Sequence, residues 1–407
     1  MSIIRPSFAF APRRRHALAL AIGSLGIGLW PIDARTAVPT TEPEGLRYRL
    51  LHSFGDRATL NDGAAPRGEL IEGSDGHLYG TTYAGGRFGL GSVFRVERRP
   101  AGTVRVRVLH SFDDSDGTLP WAPLLQGSDG NLYGTTYGSS RPHGQRGSIF
   151  RIDADGLFTA LHVFRGADGA GARAGLIEAS DGNFYGTTSL GGDGWGVLFC
   201  MTPGGEVTTL HAFDGPDNGG NPGTELIQAS DGFLYGNTAF GGQPDLRGVL
   251  FRCSLEGTYT VVHALTFEEG EGPSSSLIET ADGNKFGAAQ FGGYGFVSGG
   301  TVFELAADDS FRRLYRFSED GPLGLNPWGS LLALPDGGLL GTTQYGGQGG
   351  GGTVYRLIPA KAEPVHTFDA AFAGPKSGVL SASDGKLYGT TSAGGAFGDG
   401  TIYSLVR

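Results

Sequence analysis

A unit of the form Leu-Ile-x-x-x-Asp-Gly-x-Leu-Tyr-Gly-Thr-Thr is written into this chain seven times, and no other feature limits its folding so tightly. The units centre on Asp75-Gly76, Asp129-Gly130, Asp181-Gly182, Asp231-Gly232, Asp282-Gly283, Asp336-Gly337 and Asp384-Gly385, separated by 54, 52, 50, 51, 54 and 48 residues. A period of this length, with strand-like apolar runs between Gly-rich turns, is the sequence form of a propeller blade, which buries its faces only against its neighbours. The repeat occupies nearly all of the 407 residues, so a single closed domain is expected over 46–407.

The second unit shows how a blade is built. Residues 124–128 read as the innermost strand, Asp129-Gly130 as a two-residue type I′ turn with both residues at positive φ, and residues 131–136 as the returning strand. A Gly-rich loop, a third strand over 148–152, a turn at Asp155-Gly156 and a fourth strand ending at Phe164 complete a four-stranded antiparallel meander. A glycine recurs inside strand two (Gly80, Gly134, Gly186, Gly236, Gly287, Gly341, Gly389) and predicts close blade-to-blade contact. Aromatic residues recur in strand three, from Phe94 to Tyr403, and fill the space beside it. After the last Asp-Gly only three strands remain, while residues 48–54 match the fourth-strand pattern. The expected fold is therefore an all-β, seven-bladed propeller of four-stranded antiparallel blades, closed by the N-terminal strand completing the last blade.

Residues 1–37 read differently. Arg13, Arg14 and Arg15 precede a short apolar run broken by Gly23, Gly26 and Gly28, and Ala34 and Ala37 follow. This is the layout of a secretory signal peptide rather than of a lasting membrane span. Residues 38–45 read as a linker. Export to the periplasm or the extracellular space is expected, with no membrane span in the mature chain. Loss of the leader would take the net charge from −10 to −14, which argues against nucleic acid as a partner. Cys200 and Cys253 fall one residue out of register on equivalent strands, and are read as two buried free thiols rather than a disulfide.

The string Ser-Asp-Gly-Asn-Leu-Tyr-Gly-Thr-Thr, followed by Gly-Gly and then Gly-x-Val-Phe-Arg, resembles the GloVer tandem repeat of exported bacterial proteins. It is similar, more distantly, to the Asp-Gly-x-Leu-Trp repeats of two-component sensor propellers. The resemblance covers residues 46–407 and implies export and a propeller-like array; it brings no catalytic residues with it.

Alternating strand direction places the crossover into each blade on the same rim as the loops between strands two and three. These loops vary while the Asp-Gly turns do not, so recognition is expected on the variable rim. Six crossovers carry a proline, Pro66, Pro120, Pro222, Pro273, Pro327 and Pro375, with Ala172 in the seventh slot. The next residues are Arg67, Trp121, Arg173, Gly223, Ser274, Trp328 and Lys376, all expected at the mouth of the central channel. Arg67, Trp121, Arg173, Trp328 and Lys376 are the candidate ligand-binding residues, because two indoles beside three cations suit a sugar ring bearing an acidic group. Packing of each side chain on its own loop is the plainer alternative. Asp113, Asp114, Asp116, Glu268, Glu269 and Glu271 are of the type that binds calcium, but they lack any EF-hand spacing and read as solvated turn residues; no other cofactor is expected. His52, His110, His162, His211, His263 and His366 share one repeat position and are assigned to structure. Glu72, Gln126, Glu178, Gln228 and Glu279 also recur, either as polar partners or on the channel wall.

No Gly-x-Ser-x-Gly elbow, phosphate loop or His-Glu-x-x-His is present, and no catalytic residue is named. The expected function is an exported non-enzymatic recognition or scaffold propeller that binds a glycan, or a surface or periplasmic protein, on its variable rim. A glycan-cleaving hydrolase or lyase is one alternative; a structural or adhesive module is another. An Asp/Glu pair facing the channel beside Trp121 and Trp328, with strongly shifted pKa values, favours the enzyme.

Overall fold

A computed structural model of the chain describes residues 46–56, 61–99, 102–138, 146–153, 155–293, 299–359, 361–370 and 374–406. The expected leader and linker lie outside them. Each repeat forms one antiparallel sheet, and the seven sheets make a β-propeller with no helix among the described residues. Arg47–Ser53 pairs with Thr401–Val406, with Leu50 opposite Tyr403, so the first strand completes the last blade. Phe54, Leu70 and Phe94 share an apolar cluster with Tyr388 and Ile402, which carries the core across this seam.

The repeat motif explains itself in the turns. Only the glycine of each Asp-Gly pair has positive φ, +77° at Gly76 and +82° at Gly130. The expected type I′ turn is therefore replaced by a three-residue loop: Gly76 N–H donates to the Gly73 carbonyl at 2.8 Å, and Gly73 N–H to the His77 carbonyl at 2.8 Å. The aspartate stays right-handed because its side chain has another task. Asp75 Oδ1 accepts from His77 N–H at 3.0 Å and Oδ2 from the Tyr79 hydroxyl at 2.8 Å. The Asp–Tyr bond recurs at 2.8 Å in the units of Tyr133, Tyr185, Tyr235 and Tyr388.

The strand-two glycines also serve a different contact from the one expected. A Cβ on Gly80 would lie 2.7 Å from Phe94 Cζ and 2.9 Å from Leu70 Cδ2, both in its own blade. The glycine thus lets the strand-three ring lie across its own sheet. Contact between blades is made elsewhere. On the mouth rim the residue before each crossover proline slot is left-handed: Ala65, Leu119, Asn221 and Asn326 at φ of 52 to 57°, with Gly171, Gly272 and Gly374 in the other three. Each donates its N–H to the preceding blade, as Leu119 does to the Leu90 carbonyl at 2.8 Å and Ala65 to the Asp399 carbonyl at 2.7 Å across the seam. On the opposite rim Gln126, Glu178, Gln228, Glu279 and Glu72 accept from the backbone N–H of Ser74, Ser128, Ser180, Ser230 and Ser383 in the preceding blade. These recurrent side chains are clasps between blades. Ala333 and Ser381 occupy the slot in the last two blades.

The histidines repeat a local contact. Nε2 of His110 and His162 lies 2.7 and 2.8 Å from Asp116 and Asp168, and that of His263 lies 3.1 Å from Glu269. The imidazole faces stack on the next blade, His110 on Phe158 at 4.0 Å and His211 on Tyr259 at 3.8 Å. Both cysteines are free; Cys253 is buried as expected, while Cys200 is only half-buried.

Candidate functional site at the channel mouth

The innermost strand of a blade is interrupted where it faces the axis. In the first blade Ala64–Pro66 and Ile71–Glu72 pair with strand two, and residues 67–70 leave the ladder. The corresponding segments of all seven blades line one cavity of about 290 Å³ at the end of the channel. Arg67, Trp121, Arg173, Gly223, Ser274, Trp328 and Lys376 all reach it. The crossover residues before them fix this convergence, because a left-handed turn immediately ahead of proline leaves the chain a single direction into the channel.

The cavity wall is divided by chemistry. Arg67 lies 3.9 Å from the Tyr83 ring centroid and 4.0 Å from that of Trp121, while Arg173 lies 4.6 Å from the Trp121 ring. Trp121 is therefore covered by guanidinium groups from both neighbouring blades, and its work is to hold them. Among the described residues the Nε of Arg67 and that of Arg173 are buried without a hydrogen-bond partner. Burial pulls the pKa of Arg67, Arg173 and Lys376 below the usual range, and the charge of Arg67 pulls Lys376 further down. Among the described residues none of these three cations forms an ion pair, whereas Glu271 on the same wall is paired with Arg247 at 2.6 Å. Trp328 is half-buried, makes no ring or cation contact among the described residues, and lines the cavity, as does the partly exposed Phe291.

Two carboxyls that the sequence reading did not single out lie in the same cavity. Glu69 and Glu225 stand three residues after the crossover proline, where the other blades have Pro123, Gly175, Ser276, Ser330 and Gly378. The signal was present in that register, two residues beyond the one that was read. Glu225 takes a hydrogen bond from the Ser276 hydroxyl at 3.4 Å, and its backbone N–H donates to the same oxygen at 3.1 Å. Glu69 shares the cavity wall with Ser330 of the sixth blade, whose hydroxyl favours its charged form. A Cβ at Gly378 or Gly175 would strike these two carboxylates, so the small residues make room for them. Burial raises both acids, Glu69 to about 8 with a further push from the charge of Glu225, and Glu225 to about 7; the serine hydroxyls oppose the rise. Tyr403, which replaces phenylalanine in the last blade, keeps a buried hydroxyl without a partner among the described residues; burial raises its phenol, and the charges of Tyr48 and Glu69 add to the rise.

The acidic crossover residues are engaged locally. Asp116 accepts from Asp113 N–H at 2.9 Å and Asp113 from the Ser115 hydroxyl at 2.6 Å. Among the described residues no three acidic, histidine or cysteine side chains are grouped to hold a metal ion.

The family model described as the Gloeobacter/Verrucomicrobia repeat matches residues 36–193, 138–318 and 281–406. No curated protein matches the chain. Among solved structures, the extracellular domain of BT4673 from B. thetaiotaomicron, assigned to a hybrid two-component system, is similar with a TM-score of 0.59 and 11% identity over 89% of this chain. A second structure of a BT4673 extracellular domain, assigned to a one-component system, gives 0.57 and 13% over the same share. The chain spans 40% of the length of each, so the likeness is one of propeller architecture.

Proposed function

We propose, on the premise that this chain belongs to the Gloeobacter/Verrucomicrobia repeat family, that it is an exported recognition propeller whose channel mouth binds an acidic glycan. One observation carries the reading: four crossovers deliver Arg67, Arg173 and Lys376, none of them ion-paired among the described residues, and the indole of Trp328 to one cavity. A ligand with a negative group for the cations and an apolar ring face for the indole satisfies both sides of that wall. The volume of about 290 Å³ is near the lower limit for small-molecule pockets and suits one or two sugar residues. Export is supported by the leader pattern in residues 1–37 and by the extracellular setting of the BT4673 domain.

The carboxyl pair supports a second reading. Two glutamic acids raised towards neutrality beside cations are what acid–base cleavage of a glycan needs, as in hydrolases and lyases. A panel of acidic and neutral oligosaccharides, assayed for binding and for product release, separates the two. Binding without turnover, weakened about tenfold or more by Trp328→Ala with an unchanged melting temperature, is the expected result. Product release would replace recognition by catalysis. Affinity untouched by Trp328→Ala and by Arg67→Ala would remove the mouth as the site.

A further inference from the structure

The cavity contains three cations and two carboxyls that do not pair with one another. In the same space Glu271 is neutralised by Arg247, so the separation is a feature of the site and not of its surroundings. Glu225 is instead held by the Ser276 hydroxyl of the next blade, Glu69 faces Ser330 of the sixth blade across the last one, and each carboxyl sits over a glycine that leaves room for it. We infer that Glu69 and Glu225 form a subsite of neutral carboxylic acids within the cationic mouth, which donates hydrogen bonds to the carboxylate of a uronic-acid-type sugar, so that the ligand binds together with protons.

The inference rests on reading the mouth as an acidic-glycan site. A carboxylic acid and a carboxylate share one proton in a charge-assisted hydrogen bond, whereas two carboxylates in a low-dielectric cavity repel. The upward shifts of the two glutamates leave protons available near neutral pH. The other titratable groups of the cavity wall are Arg67, Arg173, Glu271 and Lys376, with Tyr83 and Tyr137 beside the two arginines and Tyr403 near Glu69. Of these, Lys376 has its pKa lowered, and its loss of charge at high pH would also weaken an anion. The carboxyls are distinguished from it by substitution. Glutamine keeps the shape and the donor group but cannot ionise.

The test is calorimetric titration of galacturonate, glucuronate and guluronate oligosaccharides into the full chain from pH 6 to 9, in buffers of differing ionisation enthalpy. Affinity is expected to fall by about tenfold per pH unit above pH 8 for each proton the pair must keep, with net proton uptake on binding. Glu69→Gln/Glu225→Gln should bind at pH 8.5 with the affinity that the unsubstituted chain shows at pH 6, and without proton uptake. Binding that is independent of pH, or a pH dependence that survives the double substitution, would overturn the inference while leaving the mouth as an acidic-glycan site. No binding by any of the three uronates at any pH would overturn the reading of the mouth itself. If the double variant does not fold, Glu69→Gln and Glu225→Gln carry the same comparison singly: each should flatten the part of the pH profile that its own proton causes, and a profile unchanged in both would overturn the inference.

Discussion

At the scale of single residues, the mouth is organised by backbone conformation as much as by side chains. Ala65, Leu119, Asn221 and Asn326 hold left-handed φ values immediately before proline, a conformation that costs an L-residue about 1–2 kcal/mol. The ring repeats this strain because the N–H it exposes bonds the preceding blade and the following residue is aimed into the channel. Leu119→Gly should therefore raise stability by about 1 kcal/mol in a denaturant titration, provided that freer unfolded chain does not cancel the gain; a loss would show that the leucine side chain matters more than its φ. The mouth residues were legible because proline marks their register in six of seven repeats. Glu69 and Glu225 were not, since their register holds glutamate in only two blades and its inward direction depends on a break in the ladder that no periodicity encodes. The role of Trp121 was hidden for a related reason: spacing brings an indole to the mouth, but only the neighbouring blades show that two guanidinium groups cover it.

Among the elements, the Asp-Gly hairpin carries the most information in the fewest residues. Its existence and position follow from the sequence, whereas its type depends on where the aspartate side chain bonds. In every blade the aspartate accepts from the N–H two residues on, and the loop keeps glycine alone at positive φ even where Phe286 and Leu340 replace the tyrosine. Asp129→Ala removes acceptors from Asn131 N–H and from the Tyr133 hydroxyl, and should cost about 1–3 kcal/mol by chemical denaturation. Asp129→Asn should recover part of that loss, because its carbonyl can still accept. Gly80→Ala tests the other half of the motif. Its new methyl would meet Phe94 and Leu70 at 2.7 and 2.9 Å, an overpacking of about 1–3 kcal/mol, relieved by pairing it with Phe94→Leu. If Phe94→Leu gives no relief, the glycine is required by something other than the ring of its own blade.

For the whole molecule, closure was legible from an orphan strand at the start and a three-stranded blade at the end, and the seam is tied in more ways than that pairing. Glu72 accepts from Ser383, Arg98 pairs with Asp384 at 3.3 Å, and Ala65 bonds Asp399. A chain lacking residues 46–54 would lose the fourth strand of its last blade and remove Phe54 from the seam cluster, leaving an open edge. A lower melting temperature with increased light scattering is expected, and a melt identical to that of the full chain would show that the other ties suffice. The ring also sets a pH dependence, because Glu69 and Glu225 each face a serine of a blade other than their own. Their folded pKa values, about 8 and about 7, stand above the ordinary 4.5, so the folded state keeps protons that the unfolded chain has released. Stability must then fall as pH rises: the contribution is complete below 4.5 and is lost as pH passes through 7 and 8. Melting temperatures measured from pH 5 to 9 should decline across this window, and Glu69→Gln/Glu225→Gln should flatten the decline. An equally steep decline in the double variant would place the titrating groups elsewhere and remove the carboxyl pair as the source of the pH response.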